Sequence, residues 1–231
     1  GLTSALRQQY LFIIIKKESF NIIILKLRIT VGWWMNNQSR QALWLALAGS
    51  IVLMIGMGYG RFAFTGVLPL MLNEGLLTLH EGNLAASANY AGYLVGALLL
   101  ARVQPGAATR LSIISAGLTI ASLALLAWVS SPWTIITLRA VAGALSAITL
   151  IAGSLWLLEH MGHHHGAPLL YAGVGLGIFI SAEGIALGHA LSLTSQQIWL
   201  LSALCAGLLL ALAIRWLLTP PAALVRVSHV E

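Results

Sequence analysis

Six long apolar runs fill the chain after residue 41, and each is long enough to cross a lipid bilayer. A helix rises 1.5 Å per residue and the hydrocarbon core is about 30 Å thick, so about 20 apolar residues suffice. Charged residues are 8% of the 231, against about 25% in soluble domains. The sequence therefore predicts an all-α membrane protein with six transmembrane helices, at about residues 42–71, 83–101, 111–129, 133–157, 168–189 and 197–218.

The N-terminal stretch differs in composition from the rest. Residues 1–34 contain no methionine and are rich in Ile, Lys, Leu, Asn and Phe, whereas Ala, Leu and Gly dominate after Met35. We expect a non-native or disordered extension here, with Met35 as the natural start. An amphipathic surface helix is the competing interpretation, although its apolar runs are too short to span a bilayer. The expected domains are 1–34, the six-helix unit 35–218 and a cytoplasmic tail that begins a central loop, 219–231.

Basic residues in the connectors predict the orientation of the chain. Six Lys or Arg residues precede the first span, Arg102 and Arg110 follow the second, and Arg215 and Arg226 lie near the end of the last. Cytoplasmic loops are enriched in Lys and Arg. We therefore expect a multi-pass protein of the bacterial inner membrane with both termini in the cytoplasm. The connectors without basic residues are 72–82, 130–132 and 190–196.

Arg61 lies deep in the first apolar run, between Gly56 and Met71. An Arg at the bilayer centre costs about 2.5–3.5 kcal/mol on insertion scales, so it usually faces a bundle interior or a watery cavity. Arg139 and Glu183 are the other charged residues that lie well inside a span and away from its ends. Counting from the estimated membrane edges places all three roughly 7–10 Å from the outer boundary. Because the three residues lie at a similar depth in the membrane, we expect them to belong to one site.

These three residues are therefore predicted to line a substrate or proton pathway, because intramembrane ionisable groups commonly mark such pathways. Asn89 and Tyr90 in the second span are the next polar side chains that could reach it. The structural alternative is that Arg61 or Arg139 snorkels outward, or pairs with Glu183 to lock the bundle.

Small residues at four-residue spacing predict close helix contacts. The second and fifth predicted spans contain three pairs of glycines with this spacing, and two of the pairs lie in the fifth span, which indicates tight packing of that helix. The pairs are Gly92 with Gly96, Gly173 with Gly177, and Gly184 with Gly188.

A histidine cluster follows the fourth span. Imidazole and carboxylate groups are ligands for first-row metals, but this spacing is not that of a defined site, so incidental loop histidines are the favoured interpretation and no metal is predicted. Neither a phosphate-binding loop nor a Gly-x-Ser-x-Gly elbow in a suitable context is present in the sequence. We expect no enzyme activity, no cofactor and no nucleic-acid partner. The cluster comprises Glu159, His160, His163, His164 and His165.

Three segments resemble the YbfB/YjiJ branch of the major facilitator superfamily: Arg61 to Met71, Asn89 to Ala97, and Tyr171 to Ile178. The likeness covers about residues 36–218. Members of that branch have twelve helices in two six-helix halves, so the resemblance implies the N-terminal half of such a bundle, built as a 3+3 inverted repeat. It also implies that the first and fourth helices line the central cavity, and that the Gly92/Gly96 and fifth-helix glycine faces lack their usual partner.

The resemblance is incomplete in two motifs. The connector after the second helix keeps basic residues but lacks the acidic residue of the superfamily signature, and the fifth helix lacks the proline of the antiporter motif. Arg139 to Gly143 resembles the fourth-helix Arg/Gly motif, which is tied to proton coupling in the superfamily. Protons are therefore a candidate co-substrate, and antiport is not implied.

The expected function is that of a truncated secondary transporter for an unidentified small solute. It would work by alternating access and be inactive as an isolated half without its missing C-terminal half or a second copy. The alternative is a complete six-helix membrane protein, either a homodimeric half-transporter or a non-transporting scaffold, joined through its glycine faces. A weaker third hypothesis is a metal-handling membrane protein that uses the histidine loop.

Overall fold

A computed structural model of the protein describes residues 37–221, and this part of the chain is helical with no strand. The predicted extension 1–34 and most of the predicted tail 219–231 lie outside the described residues. Contacts divide the chain into Gly1–Gln41 and Ala42–Glu231, and the packing below is that of the second unit. The α-helices are α1 (Asn37–Leu53), α2 (Ala63–Asn73), α3 (Leu79–Leu99), α4 (Ala108–Leu126), α5 (Pro132–Ser154), α6 (Ala167–Ala190) and α7 (Ser195–Leu217).

Two π-helical segments lengthen these helices. Met54–Phe62 joins α1 to α2, so that the three pieces form one continuous first span. Leu155–His160 extends α5. Short 3₁₀ turns precede α4 and α6, at Pro105–Ala107 and His164–Gly166.

Five helical stretches of the described chain are long and apolar enough to cross a membrane. The all-helical class is therefore confirmed, and five of the six predicted spans meet these criteria. The predicted second span, α3, is not among them, so the count of six and the 3+3 repeat stay predictions. The five stretches are Arg40–Asn73, Pro105–Leu126, Pro132–His160, His164–Ala190 and Ser195–Leu217.

Side-chain caps set the start of two helices. Thr194 caps α7 in a reciprocal capping box with Gln197, close to the predicted start of the last span at about residue 197. The predicted start of the second span near Asn83 is wrong by about one turn, because Thr78 and Glu81 form the same type of box and α3 begins at Leu79.

The first span is the centre of the bundle and the most buried of the five membrane-crossing stretches. One apolar cluster surrounds its second half, where the ring of Phe64 stacks on that of Trp199 at 6.4 Å between centroids. A second cluster surrounds α1 and includes Leu45, Leu53 and the fully buried Trp156. The π-helical segment between α1 and α2 therefore lies in the bundle interior.

Helix α3 packs along α5, and glycines allow the two backbones to approach closely. A Cβ at Gly96 would lie 2.8 Å from the Cα of Ala144, and one at Gly92 would collide with the carbonyl oxygen of Ala140. Larger residues at these positions would force the helices apart. The expectation that this face would lack a partner is wrong, because α5 of the same chain occupies it.

The glycines of α6 divide into two groups. Gly173 and Gly177 pack on the first span, where a Cβ at Gly177 would lie 2.6 Å from the Cα of Met54. A Cβ at Gly188 would lie 2.8 Å from the side chain of Ile198, whereas a Cβ at Gly184 would have no atom within 4 Å. The first two glycines are therefore not open to a second copy, contrary to the expectation of an unpartnered face.

Candidate functional site

The site is built around the π-helical segment Met54–Phe62. The amide of Ala63 donates to the carbonyl oxygen of Gly58, five residues earlier, which is the wider π-helical spacing. Residues from Met54 to Gly60 are buried, and the segment packs against α5 and α6. Such insertions redirect side chains and carbonyl groups and are frequent at functional sites. Here the segment directs carbonyl oxygens toward α5.

Arg139 of α5 is fully buried, with 1% of its surface exposed. Its Nη1 donates to the carbonyl oxygen of Gly60 at 2.9 Å, and its Nη2 donates to that of Arg61 at 3.0 Å. The guanidinium carbon also lies 4.5 Å from the ring centroid of Phe64. Carbonyl dipoles and an aromatic face therefore stabilise this cation. Its Nε is buried without a hydrogen-bond partner among the described residues.

Arg61 is half-buried at the end of the π-helical segment, and aromatic rings surround its guanidinium. The guanidinium carbon lies 4.1 Å from the ring centroid of Tyr93, 5.0 Å from that of Tyr90 and 5.6 Å from that of Phe62. Tyr90 and Tyr93 are three residues apart on α3, so they lie on the same helical face. The Nε of Arg61 is also buried, with no partner among the residues that the structure describes.

Asn89 connects α3 to the arginine on α5. It is buried, with 3% of its surface exposed, and its Nδ2 donates to the backbone carbonyl oxygen of Arg139 at 2.9 Å. A Cβ at Gly143 would lie 3.0 Å from the Cα of Asn89, so the two helices cross closely at this point. This bond fixes α3 against the part of α5 that carries Arg139.

A small cavity of about 40 Å³ lies between these groups. Because a site of about 10–15 Å³ is enough for one water molecule, the cavity can hold a few waters or one small polyatomic group. Two guanidinium groups, one amide, two hydroxyl groups and three aromatic rings belong to the residues that surround it. The lining residues are Arg61, Phe62, Phe64, Thr65, Ala86, Asn89, Tyr90 and Arg139.

Four of the five predicted pathway residues line this cavity: Arg61, Asn89, Tyr90 and Arg139. The fifth, Glu183, is exposed on α6 and does not line it. Backbone carbonyl oxygens and aromatic rings contact the two arginines where a pairing with the carboxylate of Glu183 was the alternative prediction. This difference arises because equal depth in a membrane does not specify which way a side chain points around its helix.

Sequence reasoning missed five residues of the site. Tyr93 gives the shortest of the ring contacts to Arg61. The other four line the cavity: Phe62, Phe64, Thr65 and Ala86. The spacing of Tyr93 from Tyr90 was a usable signal, since residues three apart share a helical face. Thr65 lies four residues after Arg61, which is also a same-face spacing.

The histidine loop does not form a metal centre within residues 37–221, where no three His, Cys, Asp or Glu side chains come close enough to hold an ion. His163 is half-buried between two membrane-crossing stretches. Burial lowers its pKa below the ordinary value, and the neighbouring His165 and His164 lower this pKa further. A half-buried imidazole of this kind is a weaker base than an exposed one.

A family model described as uncharacterised MFS-type transporter YbfB matches residues 53–230. The chain belongs to this transporter family. The match confirms the resemblance predicted from the three motifs and includes the π-helical segment and every residue that lines the cavity. Searches of curated proteins and of solved structures gave no significant match. In this YbfB-family chain, the two intramembrane arginines therefore converge on one cavity inside a transporter-type helical bundle.

Proposed function

We propose that the chain is the six-helix unit of a secondary transporter, and that the cavity between Arg61 and Arg139 lies on the path of its solute. The observation that carries this proposal is the convergence of two arginines from different spans on one cavity. Burying a guanidinium among apolar helices is costly, so a bundle that needed only packing would have apolar residues here. Membership of the transporter family supports the same conclusion.

Helix α3 is proposed as the sixth span. Its 21 residues reach about 31 Å at 1.5 Å per residue, which matches a core of about 30 Å. Polar groups lower its hydropathy, but neighbouring groups satisfy them: Asn89 donates to α5, and Ser87 donates to the carbonyl oxygen of Asn83. Six spans, together with the basic connectors, support the proposal that both termini lie in the cytoplasm.

The six helices supply one wall of the path in this proposal. Alternating access requires a second set of helices that rocks against the first around the site. A single isolated copy is therefore inactive, and two copies, or the chain with a complementary half, complete the path. Because Gly92, Gly96, Gly173 and Gly177 pack inside the chain, a second copy would have to use another face.

The test is accumulation of solutes in reconstituted vesicles. The full chain is inserted at increasing protein-to-lipid ratios, isotope-labelled metabolites are added outside, and the vesicle contents are measured by mass spectrometry. We expect no accumulation at low density, where copies are single. Where copies pair, the initial uptake rate should rise with the square of protein density.

Two variants control this measurement. Arg61→Ala should abolish the uptake, whereas Arg102→Ala, at an exposed residue outside the predicted spans, should leave it unchanged. Folding of both variants is checked by circular dichroism. If well-folded wild-type protein gives no uptake above protein-free vesicles at any density, transport by two copies of this chain is ruled out and the scaffold alternative is favoured.

A further inference from the structure

The charges that face the cavity do not balance. Of its described lining residues, Arg61 and Arg139 carry positive charge and none is acidic. Arginine keeps its charge in proteins because of its very high intrinsic pKa. The cavity therefore has two positive charges and no negative one in its lining.

The contacts of the two guanidinium groups reduce the free-energy cost of burying them, but they do not neutralise the positive charge. Two carbonyl oxygens and the ring of Phe64 contact Arg139, and three aromatic rings contact Arg61. All of these groups are neutral dipoles or quadrupoles, so the field inside the cavity stays positive. A low-dielectric wall strengthens that field compared with one in water.

Each arginine also retains donor capacity. The Nε of Arg139 and the Nε of Arg61 are buried and have no hydrogen-bond partner among the described residues. A buried donor without an acceptor costs about 1–3 kcal/mol. An anion bound in the cavity could remove that cost and balance the charge at the same time.

We propose that this cavity binds the carboxylate group of a small organic acid. Planar guanidinium groups match the two oxygens of a carboxylate better than they match a spherical halide. About 40 Å³ admits the headgroup of an acid but not a large body. The rest of the molecule would lie over Tyr90, which is 62% exposed, and Phe62, which is 37% exposed. This inference rests on the proposed transport function and names its substrate class.

The experiment measures equilibrium binding, and so does not depend on transport. The full chain is placed in phosphatidylcholine nanodiscs, and the ¹⁹F line width of trifluoroacetate is compared with that of trifluoroacetamide, its neutral analogue. We expect trifluoroacetate alone to broaden, and acetate to reverse the broadening at a concentration at least tenfold lower than acetamide. Equal competition by acetate and acetamide would overturn the proposal.

Variants locate the binding. Arg61→Gln should weaken trifluoroacetate binding at least tenfold, whereas Arg102→Gln should leave it unchanged, and Arg61→Lys should restore part of it. Retained binding in well-folded Arg61→Gln protein would overturn the assignment. If that variant does not fold, the comparison of acetate with acetamide on wild-type protein still decides the matter.

Two further arms test the source of the anion. Tighter competition by chloride than by acetate would assign the cavity to a halide and overturn the carboxylate proposal. Loss of acetate binding in nanodiscs that contain phosphatidylglycerol would assign it to a lipid phosphate, with the same consequence. Binding of acetate without any vesicle uptake would support the carboxylate site while transport by two copies of this chain was ruled out.

Discussion

The guanidinium of Arg139 donates to the carbonyl oxygen of Gly60 at 2.9 Å, although the two residues are 79 positions apart in the sequence. The bond connects α5 to the π-helical segment of the first span. The buried guanidinium gains a hydrogen-bond acceptor, and the carbonyl oxygen of the irregular backbone gains a donor. We infer that the position of Arg61, whose own carbonyl receives the second bond from Arg139, depends on this connection.

Replacing Arg139 tests that dependence. Arg139→Met leaves the carbonyl oxygens of Gly60 and Arg61 without their charged donor, at a cost of about 1–3 kcal/mol per unsatisfied group, partly offset by removal of the buried charge. We expect a net loss of about 1–3 kcal/mol, seen as a lower unfolding midpoint in a detergent–sodium dodecyl sulfate titration. Arg102→Met is the matched control at an exposed residue, and its unfolding midpoint should differ little from that of the wild type. An unchanged midpoint in Arg139→Met would show that the bonds are dispensable.

Gly177 tests the close approach of α6 to the first span. A Cβ there would lie 2.6 Å from the Cα of Met54, a backbone atom that cannot rotate away. Gly177→Ala should therefore lower the free energy of unfolding by about 1–3 kcal/mol. Gly175→Ala, two residues earlier, has no atom within 4 Å and should be neutral or slightly stabilising, because alanine favours helix. Equal midpoints for the two variants would contradict the packing.

Glu74 tests how the end of the first span is attached to the start of α7. Its carboxylate accepts hydrogen bonds from the backbone amide of Ser195 at 2.8 Å and from the hydroxyl group of Ser195. A carboxylate at a helix N-terminus satisfies an otherwise free amide and interacts favourably with the helix dipole. We expect Glu74→Ala to cost about 1 kcal/mol in the detergent titration, as loss of a helix cap does. Glu159→Ala, at an exposed residue, serves as the control. A similar loss of stability in this control would show that the effect of Glu74→Ala does not come from the contact with Ser195.

His163 gives the bundle a pH dependence of known sign. Its pKa is lowered in the folded protein, chiefly by burial, whereas an unfolded chain has a histidine pKa of about 6.5. As the pH falls below that value, the unfolded chain binds the proton first, so stability declines until the folded pKa is passed. Well above a pH of about 6.5, the imidazole is neutral in both the folded and the unfolded chain, so His163 does not change the stability with pH.

The measurement for His163 is the unfolding midpoint between pH 7.5 and 5. Wild-type protein should lose stability as the pH falls below about 6.5, and His163→Gln should lose less over the same range. His189→Gln, at an exposed residue near the end of α6, should keep the wild-type slope. Identical slopes for wild type and His163→Gln would rule out a contribution from this imidazole.

Local signals in the sequence predicted much of the fold. Long apolar runs predict membrane helices because a bilayer demands about 20 apolar residues, and the last predicted run begins within a few residues of Thr194, whose side chain caps α7. A capping signal is also present in the sequence at Thr78, because Glu81 follows three residues later, and this box sets the start of α3 about one turn before the predicted start. The family was also predictable, because three short motifs carry it.

The site was only partly predictable. Arg61 and Arg139 were found because charge in an apolar run is rare and costly. Their surroundings were not, since depth along a helix says nothing about rotation around it. Depth alone therefore predicts Glu183 as a companion, whereas the structure places it on an exposed face. A tyrosine in a membrane helix is not itself unusual, so only the three-residue spacing of Tyr93 from Tyr90 points to its role.

The sequence by itself determined that this chain forms membrane-type helices, which family it belongs to, and that its buried arginines need stabilising partners. These properties follow from hydrophobicity, helix length and the cost of burying charge, which are local quantities. Only the tertiary structure decided what the partners are. The carbonyl oxygens of Gly60 and Arg61 face Arg139 because a π-helical segment packs against α5, and Tyr93 reaches Arg61 because α3 lies on α5. Such contacts depend on helix rotation and crossing, which packing between distant segments sets.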